Sequence, residues 1–162
     1  SFENDIDIFS IDIDGIDYWV LKNLKPKISK IFILEYNPYF ADKEICAPNI
    51  EKFDRFKYHY TGLCWGASLK AYINLMNEKG YSFVGTNRLN CNAFFVLKDL
   101  IDKIKLRKIN LDDLSKFTNS KIKVLKTKNN KDATFNDIRE EIFDLEVFDI
   151  KNQKITKFSD IK

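Results

Sequence analysis

Asp12 and Asp14 stand two residues apart in Ile8-Phe9-Ser10-Ile11-Asp12-Ile13-Asp14-Gly15, at the end of an apolar run and directly before a glycine. Two carboxylates so spaced can bind a cation, accept hydrogen bonds from a cofactor, or share a proton. Leu34-Glu35-Tyr36-Asn37 repeats the arrangement: an apolar run delivers a polar group just before Pro38. Thr86, Asn87, Asn90 and Asn92 form a third polar cluster between two apolar runs. The remaining chemistry-bearing residues carry less. His59 is the single histidine, so a multi-histidine metal centre is excluded. Cys64 follows it closely, but no third group is placed to orient a Cys–His pair. No set of metal ligands is assigned.

The elements that must position these residues follow from the apolar spacing. Residues 6–14 are β-branched and aromatic and predict a buried strand, with Ser10, Asp12 and Asp14 on one face. Ile16, Trp19, Val20 and Leu24 are spaced as a helix, which Pro26 ends, and 30–36 predicts a second strand. Strand, helix and strand make a βαβ unit with the strands parallel. In such sheets ligands bind at the carboxyl ends of the strands, which selects Asp12, Asp14, Glu35, Tyr36 and Asn37. Residues 39–64 show no clean period and read as a long surface excursion, and Tyr36, Tyr39, Tyr58, Tyr60 and Trp65 in or beside it could line an acceptor pocket or equally serve as lid packing. Gly66-Ala67-Ser68 opens a helix that Gly80 stops, and 81–86 with 92–97 predict a hairpin. Beyond it, the pattern gives a helix over 99–108, an exposed strand over 121–127 with a turn at Asn129-Asn130, and a helix capped by Thr134 and Asp137. A small hairpin over 146–158 closes the chain. The expected organisation is an α/β domain over residues 1–100 and an α+β extension over 101–162.

Composition bounds the partners. The 162 residues are 44% hydrophobic and 31% charged, a globular balance. No apolar run approaches the ~20 residues of a membrane-spanning helix. The opening Ser1-Phe2-Glu3-Asn4-Asp5 is unlike a secretory leader, and three cysteines without C-x-x-C spacing exclude a disulfide scaffold and a zinc ribbon. A cytoplasmic setting is the expectation. The formal charge of +3 rests on 27 Lys and Arg, of which only Arg55, Arg88, Arg107 and Arg139 are arginine. A surface that reads bases leans on arginine, so no nucleic-acid partner is expected. The basic stretch 103–131 adjoins an acidic one, 132–149, and blocks of opposite sign can satisfy each other.

Two resemblances extend these readings. Asp12-Ile13-Asp14-Gly15 is similar to the D-x-D-G opening of haloacid-dehalogenase-type phosphohydrolases, although Ile16 stands where Thr or Val is usual. That resemblance implies Asp12 as nucleophile, Asp14 as general acid and a bridging Mg²⁺, with Thr86, Lys98 and Asp112-Asp113 as weaker later matches. A second resemblance spans roughly residues 5–100. Residues 8–21 resemble the strand-four segment of FkbM-like S-adenosylmethionine-dependent methyltransferases, with Ser10, Asp14 and Asp17 departing from the usual Lys, Glu and Glu. They are closer still to a branch of that family reading S-I-D-I-D-G-x-D-Y-W. The blocks Leu34-Glu35-Tyr36-Asn37, Gly66-Ala67-Ser68-Leu69 and Asn92-Ala93-Phe94-Phe95-Val96 follow in the order of that branch.

The second resemblance implies a Rossmann-like three-layer sandwich: strands four to seven of a class I methyltransferase sheet, with a small α+β tail. It implies O-methylation of a small hydroxylated molecule or a glycan. Asp12, Asp14 and Gly15 would lie at the cofactor, Asp12 and Asp14 also at the chemistry, and Glu35, Tyr36, Asn37 and Asn92 beside the acceptor. The Gly-rich cofactor turn of such enzymes occurs nowhere in the chain. The expectation is therefore a C-terminal half lacking its cofactor-binding half. A non-catalytic fragment or scaffold that self-associates through its sheet edge is the further alternative.

Overall fold

A computed structural model describes residues 6–104, 109–112, 114–118 and 134–161. They form β1 (Ile6–Ile11), α1 (Asp17–Asn23), β2 (Ser29–Glu35), β3 (Ile45–Cys46), α2 (Arg55–Tyr58), α3 (Leu69–Glu78), β4 (Tyr81–Thr86) and β5 (Asn92–Leu97). Beyond them come α4 (Lys98–Ile101), α5 (Ser115–Thr118), α6 (Phe135–Glu141), β6 (Glu146–Asp149) and β7 (Lys154–Lys157). The described chain is thus mixed α and β, with two sheets.

The larger sheet has the order β1-β2-β5-β4. β1 and β2 are parallel, and β5 is antiparallel to both β2 and β4, so β1, β2 and β4 share one direction. The parallel pair is the expected βαβ unit, since α1 supplies a crossover that a tight turn cannot. Register puts Phe9 beside Phe32 and Ile11 beside Leu34, then Phe32 beside Phe95 and Leu34 beside Ala93. Period-two alternation therefore gives one sheet face a continuous apolar stripe, and Ile11, Phe32, Leu34, Ala93 and Phe95 all lie in the main core. Glu35 falls on the other face, beside Asn92 across the ladder.

Helices α1 and α3 complete that core through Tyr18, Leu21, Leu69, Tyr72, Leu75 and Met76. Ser68 caps α3 by accepting from the Ala71 amide, the signal its sequence carried. Lys79 Nζ donates to the carbonyls of Lys22 and Leu24, filling the acceptors left open where α1 ends. The hairpin of β4 and β5 matches its expected bounds, with a bulge between Phe83 and Gly85. At Gly85 φ is +138°, a conformation that favours glycine.

Three expectations are corrected. The first strand ends at Ile11, so Asp12 and Asp14 lie beyond it rather than along its face. Residues 39–64 are not a surface excursion: Tyr39, Phe40, Ile45, Ala47, Leu63 and Cys64 are buried in a second core. Its aromatics and small residues fill a packed space with no helical or strand period, which is why periodicity missed it. Third, where a helix is expected over 99–108, the described residues show the single turn of α4 followed by turn structure to Ile104, and 105–108 lie outside the described residues.

The second core joins residues 39–65 to the C-terminal region. β3 pairs with β6, and β6 with β7, in a three-stranded sheet. Ile138, Ile142, Leu145, Val147 and Phe158 pack against the 39–65 residues. Trp19 ties the two cores together: its Nε1 donates to the Ala47 carbonyl and its ring meets Phe148 edge-on. Thr134 and Asp137 form the expected reciprocal cap of α6. The strand expected over 121–127, its turn, Asp113 and most of the basic stretch lie outside the described residues. No described helix is long and apolar enough to cross a membrane.

Candidate functional site

The turn after β1 is built by Asp17. This residue opens α1, is 2% exposed, and uses both carboxylate oxygens on the turn: Oδ1 accepts from the Ile13 amide and Oδ2 from the Gly15 amide, each at 2.9 Å. Its charge also sits at the helix N-terminus, where the peptide dipoles favour it. Gly66 holds the turn from the other side by donating its amide to the Gly15 carbonyl at 2.7 Å. Gly66 has φ +54°, and a Cβ there would stand 3.4 Å from the Glu35 carbonyl oxygen and 3.3 Å from the Tyr72 hydroxyl. Phe53 closes over Gly15, where a Cβ would meet its ring at 3.0 Å. Between these fixed points Asp14 adopts φ +57°, a left-handed conformation in which Asp is among the better-tolerated side chains.

The result is an acidic cluster. One oxygen each of Asp12, Asp14 and Glu35 lies within 4.8 Å of the others. Asp12 and Asp14 face solvent, whereas Glu35 is half-buried and its Oε2 is enclosed with no hydrogen-bond partner among the described residues. Burial, and then the charges of Asp12, Asp14 and Asp17, push the Glu35 carboxyl up to about 7, while Arg55 works in the opposite direction. Near neutral pH, Glu35 is therefore poised between its two protonation states.

Arg55 reaches this cluster from the segment 54–65. Its Nη1 lies 2.6 Å from Asp14 Oδ1. Its guanidinium stands over the Trp65 ring at 5.1 Å and over Phe56 at 4.8 Å. Asp54 starts α2 by accepting from the amides of Phe56 and Lys57, which sets the direction in which Arg55 leaves the backbone. Further along, His59 Nδ1 is 2.7 Å from Thr61 Oγ1 and its Nε2 is 3.2 Å from Asp144, while the Tyr60 hydroxyl donates to Glu141 Oε2 at 2.7 Å. His59 is thus a tether to the α6–β6 region.

The structure divides the expected site residues. Asp12, Asp14, Gly15 and Glu35 come together, with Asn92 the ladder neighbour of Glu35. Tyr36 and Asn37 are fully buried and committed to the fold: the Tyr36 hydroxyl donates to the Phe117 carbonyl, and Asn37 donates to the Leu63 and Trp65 carbonyls while accepting from the Tyr39 amide. Thr86, Asn87 and Asn90 brace the β4–β5 turn. Tyr39 and Trp65 are buried, so they do not line an open pocket. Lys98 Nζ donates to the Asn77 carbonyl. The three cysteines are buried free thiols.

Sequence reasoning passed over Asp17 and Arg55. The signal for Asp17 was present, an acid three residues after Asp14 in the first turn of a helix, where the peptide dipoles favour a negative charge. Arg55 sits in a stretch without period, and only the fold brings it to Asp14. No family model, curated protein or solved structure matches the chain.

Proposed function

We propose that these residues are the acceptor-side half of an S-adenosylmethionine-dependent O-methyltransferase with a Rossmann-like sheet. The observation that carries the proposal is Glu35, a carboxyl raised to about 7 and set beside Asp12 and Asp14 at the carboxyl ends of two parallel strands. A general base works best when its proton affinity lies near the operating pH. Glu35 would take the proton of an acceptor hydroxyl as its oxygen attacks. Asp12 and Asp14 would orient the acceptor and the cationic end of the cofactor.

The sheet supports the same reading. β1, β2 and β4 would take the places of strands four, five and six of a doubly wound order, with β5 inserted antiparallel as strand seven. The cofactor supplies an electrophilic methyl group on a sulfonium. The exposed carboxylates fit that cationic end in chemistry, and the Gly-rich turn that would hold the rest must come from residues outside these 162. In-line methyl transfer depends mainly on positioning, so the protein's contribution is the rigid turn and one base. The acceptor, a small hydroxylated molecule or a glycan, and a cytoplasmic setting belong to the same proposal.

The test is methyl transfer to hydroxyl acceptors by the protein expressed from its complete reading frame. Glu35→Gln should lower kcat about 100-fold or more at pH 7 with little change in cofactor affinity. Equal rates in Glu35→Gln and wild type would exclude the base. The Mg²⁺-dependent phosphohydrolase drawn from the same Asp12 and Asp14 shares the carboxylate cluster, whose three oxygens could also hold a cation. It predicts instead a Mg²⁺-dependent release of phosphate that Asp12→Asn abolishes.

A further inference from the structure

We propose that Arg55 is the positioning residue of this site, a fixed guanidinium that the 54–65 segment delivers to Asp14 so that three neighbouring carboxylates can occupy one space. The proposal rests on the reading above for its chemical purpose, but its physical basis is independent of any substrate.

Asp12, Asp14 and Glu35 approach within 4.8 Å, with the buried Asp17 behind the turn. Like charges so close repel one another, most strongly at the half-buried Glu35. Unrelieved, that repulsion would splay the exposed Asp14 into solvent or make Glu35 hold its proton more tightly. Arg55 offsets it from a position it cannot easily leave. Its side chain is only 24% exposed, against 61% for Asp14. The Trp65 ring lies under the guanidinium, and Trp65 itself is buried in the second core. The Arg55 Nε is buried with no hydrogen-bond partner among the described residues, so stacking and the Asp14 contact fix the group rather than a network of its own. A lysine would carry the charge but not the planar stack.

The far end of the segment is fastened too. His59 meets Asp144, and Tyr60 meets Glu141. The α6–β6 region is therefore joined to the segment that carries Arg55. Arg55 does not contact the reacting atoms in this scheme. It sets where Asp14 points and how readily Glu35 gives up its proton.

The experiment is carboxyl-detected NMR titration of Glu35 in the protein expressed from its complete reading frame, which needs neither cofactor nor acceptor. Arg55→Gln should move the Glu35 midpoint upward by about one pH unit, and Arg55→Lys should recover part of that shift. A folded Arg55→Gln protein with an unmoved midpoint overturns the proposal, as does a Lys variant no different from Gln. Should Arg55→Gln not fold, the side-chain Nε–H signal of Arg55 answers in its place. Its exchange with water should be slow in the wild type and accelerate at least about tenfold in Asp14→Asn. Equal exchange in the two proteins overturns the proposal. Absence of methyl transfer, with the Glu35 midpoint moving as described, would remove the proposed reaction and leave Arg55 in its role.

Discussion

Glu35 carries an energetic cost that its surroundings impose. Its carboxyl ionises near 7 in the folded chain and near 4.5 when unfolded, because burial and three neighbouring carboxylates disfavour the charge. The folded state therefore holds its proton more tightly. The resulting stability is fully present below pH 4.5 and is lost as pH rises through about 7. Glu35→Gln should remove this dependence, leaving the variant more stable than wild type at pH 8 by on the order of 2 kcal/mol. Urea unfolding at pH 4 and pH 8 reads the difference, and identical wild-type and variant pH profiles would refute it. Asp17 instead stabilises the turn through its hydrogen bonds. Asp17→Ala strands the buried Gly15 amide and the part-buried Ile13 amide, and should cost about 2 kcal/mol. A loss below about 0.5 kcal/mol would mean that Gly66 alone holds the turn. Asp12, Asp14 and Glu35 were legible in the sequence because each ends an apolar run, and strand ends are where such sheets bind ligands. Tyr36 and Asn37 share that address, but their hydrogen-bonding partners, Phe117, Leu63 and Trp65, lie too far away in the chain for spacing to reveal them.

At the scale of elements, the regular parts were readable and the irregular ones were not. The βαβ unit, α3 with its Ser68 cap and the β4–β5 hairpin all announce themselves by period and by glycine placement. Ser68→Ala should cost about 1 kcal/mol in thermal or urea unfolding, since the hydroxyl is buried and satisfies the Ala71 amide. The 39–65 stretch could not be read this way, because its buried residues are spaced by a 3₁₀ turn, a two-residue strand and loops. Its tether to α6 gives a further prediction. Cys64 is buried in the second core, and its thiol is pushed up to about 12 by that burial, so it reacts only when the core opens. Asp144→Asn weakens the hold on His59 and should speed Cys64 labelling by about twofold to fivefold, the range an exposed pair can influence. An unchanged labelling rate would show that packing alone keeps the segment in place.

Across the whole molecule, two cores meet at Trp19, and the acidic turn lies where the β1 end, the β2 end and the 54–65 segment converge. Ile45 and Cys46 pair with β6, so residues on both sides of position 100 build one small sheet, an arrangement that no local pattern encodes. β1 forms one edge of the larger sheet and leaves Ile8 57% exposed. Such an edge is a template for another strand. The chain should therefore associate with rising concentration, and Ile8→Lys should suppress that association in light scattering; a wild type that stays monomeric at high concentration would contradict this. The central claim, that Asp12 and Asp14 after β1 serve the cationic end of a sulfonium cofactor, is tested most directly by calorimetric titration of S-adenosylmethionine into the protein expressed from its complete reading frame. Saturable binding that Asp14→Asn weakens about tenfold or more is the predicted result. No binding, or binding that Asp12→Asn and Asp14→Asn leave unchanged, would contradict the account.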